Sequence, residues 1–190
     1  YKFIEKYKRI SIIGMEKNVG KTTLLNKLIA DIGTNKKLGL TSIGRDGEDI
    51  DVVTNTDKPR IYVRRGSIIA TGRNCLAKCD ITKEILYVTD FTTPMGSIVI
   101  VRALSDGYVD IAGPSYNKQV KIVVELMEKF GSEISIVDGA LGRKSTAISD
   151  VSEATILSTG AALSLDMLKV VEETKKTVYF LKLDEAEKNI

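Results

Sequence analysis

The run Ile10-Ser11-Ile12-Ile13-Gly14-Met15-Glu16-Lys17-Asn18-Val19-Gly20-Lys21-Thr22-Thr23 decides how the rest of the chain is read. Residues 10–13 are apolar enough for a buried strand. Beyond the run, Leu24, Leu25, Leu28, Ile29 and Ile32 recur at three- and four-residue spacing. That spacing predicts a helix from about Gly20 to Ile32, closed by Gly33. Between strand and helix lies a glycine-bounded loop ending in Gly-Lys-Thr. Such a loop turns successive backbone N–H groups toward an anion, glycine lets the backbone come close, and the helix N-terminus adds partial positive charge. The order strand, loop, helix therefore makes a phosphate cradle. Gly14, Lys17, Asn18, Val19, Gly20, Lys21, Thr22 and Thr23 are its candidate nucleotide contacts. Lys21 is placed to reach the outer phosphates as a point charge, and Thr22 to put its hydroxyl on Mg²⁺.

The match to the P-loop pattern is offset by one residue. G-x-x-x-x-G-K-[ST] would place glycine at position 15, where Met15 stands, and the glycine is Gly14. The bland alternative is a glycine turn capping a helix, and the strand before and helix after argue against it. A second stretch completes the chemistry. Ile134-Ser135-Ile136-Val137 is an apolar strand ending in Asp138-Gly139-Ala140. A carboxylate there lies across the sheet crevice from the phosphate loop and holds Mg²⁺ directly or through water. Lys21 and Asp138 are thus the candidate catalytic pair. Gly139 and Gly142 would let the loop approach phosphate, and Arg143 is as well explained by a surface position as by a phosphate contact. The stretch Gly44-Arg45-Asp46-Gly47-Glu48-Asp49-Ile50-Asp51 follows a predicted strand at residues 38–43, where ligands gather in open α/β sheets. Asp46 and then Glu48 follow Asp138 as metal candidates, against the alternative of a solvated loop.

Composition narrows the classes. The 190 residues suffice for one compact domain spanning 1–190. Hydrophobic residues at 43% and a net charge of +3 with interspersed lysines and acids give no reason to invoke nucleic acid or a membrane. No apolar run approaches the length of a membrane span, and no signal peptide is visible. The chain opens on Tyr1 without methionine and closes on a charged stretch, so its termini are expected to be trimmed. With no histidine, Ser-His and Cys-His catalysis and imidazole metal sites are excluded. Cys75 and Cys79 read as reduced thiols of a cytoplasmic protein.

The remaining pattern predicts an α/β fold of the P-loop NTPase type, a mainly parallel sheet with helices on both faces. Residues 60–63 and 67–71 flank Arg64-Arg65-Gly66 and read as a β-hairpin insertion or edge feature. Lys58, Arg60, Arg64 and Arg65 form a basic cluster better read as a solvated turn than as a phosphate site. Asp80 is expected to cap a helix through about Val88. Residues 98–104 read as a doubly covered strand, followed by the turn Ser105-Asp106-Gly107 and a strand at 108–112. The stripe Val120, Val123, Val124, Met127 and Phe130 predicts a core helix closed by Gly131. A strand is expected at 154–158, a polar turn at Ser158-Thr159-Gly160 of the kind that touches a nucleotide base, a helix at 165–175 and a last strand at 177–182.

Two resemblances follow from these residues. Gly-x5-Gly-Lys-Thr with valine before the second glycine resembles the loop of dethiobiotin synthetase and its relatives. Those proteins share a sheet with the deviant-loop ATPases, whose signature lysine comes earlier in the loop. Glu16 stands at that position here, with Lys17 next, so an intersubunit signature-lysine mechanism is not expected. More widely, residues 14–23, 38–49, 58–63, 102–108 with 112–115, 137–140 and 157–161 resemble the small ATP-binding component of the reactivating factor for adenosylcobalamin-dependent lysine aminomutase. That family also carries a MutL-like label, which implies no mismatch repair here. The resemblance implies an ATP- and Mg²⁺-dependent ATPase of lysine fermentation. It would act with a larger reactivating-factor subunit on an aminomutase client to release damaged cobalamin, which belongs to the client. A homodimer is left open. The alternatives are a dethiobiotin-synthetase-like enzyme phosphorylating a small carboxylate or carbamate, a nucleotide-dependent switch, and a scaffold with a degenerate loop. Against a GTPase, Asn117-Lys118-Gln119-Val120 lacks the aspartate of a guanine motif. Against the scaffold, Lys21-Thr22 is intact.

Overall fold

A computed structural model describes residues 4–44, 50–51, 56–57, 60–139 and 151–182. In chain order the elements are β1 Arg9–Gly14, α1 Lys21–Ile32, β2 Leu38–Ser42, β3 Ile50–Asp51, β4 Thr56–Asp57, β5 Ile61–Val63, β6 Ile68–Gly72 and α2 Arg73–Leu76. They continue with β7 Lys83–Thr93, β8 Gly96–Ala103, β9 Gly107–Val109, α3 Asn117–Lys129, β10 Ile134–Asp138, β11 Ala154–Ser158 and α4 Met167–Leu181.

Seven strands form the main sheet in the order β11-β1-β10-β2-β6-β8-β7. The five from β11 to β6 run parallel, and β8 and β7 extend the sheet antiparallel. The chain is thus α/β with a mostly parallel sheet. Strand periodicity divides the core in two. Ile10 and Ile12 of β1, Leu40 of β2 and Ile136 of β10 face Leu25, Leu28, Ile29 and Ile32 of α1. Val137, Ile68, Ala70, Ile98 and Ile100 face the opposite way, toward Val120, Val123, Val124 and Met127 of α3. Alternating side chains along a strand point to opposite faces, so a parallel strand covered on both faces must be apolar throughout. That is why β1 and β10 are apolar along their buried length except for Ser11 and Ser135, both buried. Arg9 fixes α3 to the start of β1 through two bonds to the Glu128 carboxylate, at 2.7 and 2.8 Å. This contact holds the guanidinium pKa above its usual value.

Three expectations are corrected. Residues 60–63 and 67–71 do not form a hairpin with each other. β5 pairs antiparallel with β9 in a separate two-stranded sheet, while β6 lies inside the main sheet between β2 and β8. All five residues of β6 are buried, as an interior strand requires and a solvent-facing hairpin arm does not. The hairpin signal came from the reversal at Gly66, whose φ of 90° only glycine adopts readily. A long hairpin does exist, but it is β7–β8. Second, residues 83–93 are a strand and not a helix capped by Asp80. Asp80 instead accepts from the Arg60 guanidinium at 2.8 Å, and β7 gains an antiparallel ladder to β8 that shifts register between Ile85 and Tyr87 and between Val88 and Thr92. Third, residues 177–181 continue α4. Their β-branched and aromatic content suggested a strand. Local bonds favour the helix: Asp166 caps it by accepting from the Leu168 N–H, and Lys176 bridges Glu172 and Glu173 at 2.9 and 3.1 Å. The strand expected at 108–112 is shorter than expected, covering Gly107–Val109.

Candidate functional site

β1 ends at Gly14, and one further bond, from the Met15 N–H, reaches β11 before the chain turns away. Two of the phosphate-loop residues that follow take left-handed backbone, Asn18 at φ 60° and Gly20 at φ 84°. Left-handed residues set among ordinary ones fold a backbone into a concave nest with N–H groups facing one point. Gly20 is also the N-cap of α1 and, having no side chain, provides no cap. The first N–H groups of any helix lack intrahelical acceptors, and at α1 no side chain of the N-cap residue meets those of Lys21, Thr22 and Thr23. Glu16, Lys17 and Asn18 are exposed, Val19 is half-buried, and the Glu16 carboxylate accepts from the Lys17 N–H at 2.9 Å.

Gly14 is needed for space. A Cβ there would lie 2.8 Å from both Lys21 Cδ and Val19 Cγ2, so the side chains of the loop fold back over it. The glycine that matters sits under the lysine, and Met15 leaves the loop sideways with its N–H donating to the Ser158 carbonyl of β11 at 2.9 Å.

Lys21 is half-buried, and its Nζ donates to the Gly139 carbonyl at 3.1 Å. That bond crosses from the loop to the end of β10. β10 lies between β1 and β2, and Asp138 stands opposite Ile12 on one side and Ser42 on the other. The main-chain bonds Ile43 N–H to Asp138 carbonyl, 2.8 Å, and Gly139 N–H to Ile12 carbonyl, 2.9 Å, hold this corner. Asp138 is half-buried at the carboxyl edge of the sheet, one strand from the loop. A Cβ on Gly139 would meet Ile13 at an ordinary 3.4 Å, so crowding does not demand glycine there. Its carbonyl, and that of Ser158, are contacts no side-chain motif could have revealed.

The structure brings Gly14, residues 17–23 and Asp138 to one edge of the sheet. Asp46 and Glu48 lie outside the described residues, as do Lys58, Gly142 and Arg143. Among the described residues no group of three or more His, Cys, Asp or Glu gathers. A magnesium ion at this edge would have Asp138 and the Thr22 hydroxyl as protein donors and complete its shell from phosphate and water. That few-ligand habit is normal for Mg²⁺.

Among the described residues of the basic cluster only the Arg60 guanidinium is paired, with Asp80, and it lies 5.5 Å from the Tyr108 ring centre. The Arg65 contact, to Asp106, is made by its backbone N–H, and Arg64 Nε is buried without a hydrogen-bond partner. Neither Cys75 nor Cys79 is in a disulfide. The Cys79 Sγ–H donates to the Cys75 carbonyl at 3.3 Å, and burial pushes its pKa up, so it is a poor nucleophile. No described helix is long and apolar enough to cross a membrane. The chain matches no family model, no curated protein and no solved structure.

Proposed function

We propose that this chain is a P-loop ATPase, dependent on Mg²⁺, that drives the reactivation of a cobalamin-dependent aminomutase. One observation carries the ATPase part: the nest of residues 14–20, the uncapped start of α1 with Lys21 and Thr22, and Asp138 on the neighbouring strand meet at one sheet edge. Backbone N–H groups of Gly20 to Thr23 would bind the phosphates. Lys21 would leave the Gly139 carbonyl and turn to the outer phosphate oxygens. Bound magnesium would neutralise charge on those oxygens, with Thr22 and Asp138 orienting it. The reactivating role rests on the sequence resemblance. Nucleotide-driven release of a tightly held, damaged cofactor needs a two-state element, and the bond that Lys21 would give up on reaching phosphate ties the loop to the end of β10.

Asp138→Asn should lose most of the magnesium-dependent part of ATP binding and keep the fold. Calorimetry with and without Mg²⁺ reads the first and thermal melting the second. Unchanged magnesium dependence would reduce Asp138 to a strand-end residue. The broader reading is tested by ATP turnover with and without an aminomutase loaded with inactive cobalamin. Stimulation by the mutase is expected. Turnover requiring only a small carboxylic acid would favour the dethiobiotin-synthetase-like alternative.

A further inference from the structure

The last helix carries apolar surface that the rest of the described chain does not cover. No residue of α4 is buried. Leu168 is 75% exposed and Tyr179 64%, values expected of charged side chains and not of these. Leu168, Val171, Lys175 and Tyr179 recur at three- and four-residue steps and so line one stripe. The helix is tethered on another side, where the Thr174 and Thr159 hydroxyls lie 3.0 Å apart. A helix held on one side that exposes Leu168, Val171 and Tyr179 around Lys175 on another can form half of an interface.

We propose that α4 packs antiparallel against α4 of a second copy of this chain. Charge selects this occupant and this direction. With a two-fold axis between Glu173 and Thr174, Leu168 of one copy faces Tyr179 of the other and Glu172 faces Lys175. A parallel pair would set Glu172 against Glu172 and Lys175 against Lys175, which is repulsive. The antiparallel arrangement also opposes the two helix dipoles favourably. A helix of 15 residues is about 22 Å long. A single pair of that length falls short of the ~800 Å² per partner of a standard interface. The dimer is therefore weak and concentration-dependent, with a dissociation constant on the order of micromolar.

The test is sedimentation velocity of the whole chain from about 1 to 200 µM, a range bracketing that constant. The mass of the wild type should rise toward twice that of one chain. Leu168→Glu/Tyr179→Glu should stay monomeric throughout with an unchanged melting curve, because both side chains are already in solvent. A wild type that is monomeric at every concentration, or a double variant that dimerises equally, would overturn the proposal. Direction is read by cross-linking in a Cys79→Ser background. Leu168→Cys mixed with Tyr179→Cys should form a disulfide-linked heterodimer on oxidation. Linking of each variant only to itself would refute the antiparallel arrangement.

Discussion

Lys21→Ala is expected to abolish nucleotide hydrolysis and to weaken ATP binding by roughly tenfold or more. The expectation follows from the charge-assisted contact the ammonium would make in a partly desolvated loop, worth on the order of 1.5–3 kcal/mol. Lys21 is half-buried against Gly14 and bonded to the Gly139 carbonyl, so it is pre-positioned at the mouth of the nest. The bond lost is a single one to a backbone carbonyl, and the fold should survive. ATP affinity by calorimetry, steady-state phosphate release and a melting curve together decide the matter. Equal affinity in wild type and variant would remove the phosphate role from the loop.

The second large effect is on stability. Gly113 lies just after β9, where the chain crosses the end of β2 on its way to α3. A Cβ at this position would sit 1.9 Å from the Ser42 carbonyl oxygen and 2.6 Å from Thr41 Oγ1. The neighbouring backbone is pinned: Gly113 N–H donates to Ser42 Oγ at 3.0 Å, and Gly44 N–H to the Pro114 carbonyl at 2.9 Å. The clash is therefore with main chain that cannot turn away. Gly113→Ala should cost about 3 kcal/mol, the upper part of the range for overpacking. For a chain of this size that lowers the melting temperature by roughly 6–12 °C. Gly160→Ala is the control, since its Cβ would meet nothing within 4 Å. Urea or thermal unfolding that placed the two variants within 1 kcal/mol, on the order of a routine surface substitution, would contradict this packing.

What could be read from residues alone was what depends on local pattern. The strand, glycine loop and helix around Gly14–Thr23 announced themselves through period and composition, and the stripe of α3 through its spacing. Asp138 could be placed because a run buried on both faces ends in a charge only where the sheet ends. What failed was non-local. Nothing near Arg64-Arg65-Gly66 says that β6 will pair with β2 and β8 while β5 finds β9. The register of a strand is set by partners far along the chain, and a turn signal reports only that the chain reverses. The helix expected through about Val88 went astray because Asp80 looked like a cap, whereas its partner is Arg60. Residues 177–181 went astray because propensity is a weak prior once a helix is already nucleated and capped. Within the candidate site, side-chain types were legible, but the carbonyls of Gly139 and Ser158 that receive Lys21 and Met15 were not.

The central claim is that residues 14–23 form a phosphate cradle for a magnesium nucleotide. Its most direct test is titration of the isotope-labelled chain with ATP and Mg²⁺, following the backbone amide resonances. Gly20, Lys21, Thr22 and Thr23 are expected to show the largest, saturable shifts, and these shrink when magnesium is chelated. Saturable shifts confined to other parts of the chain, or none in these four amides, would contradict it.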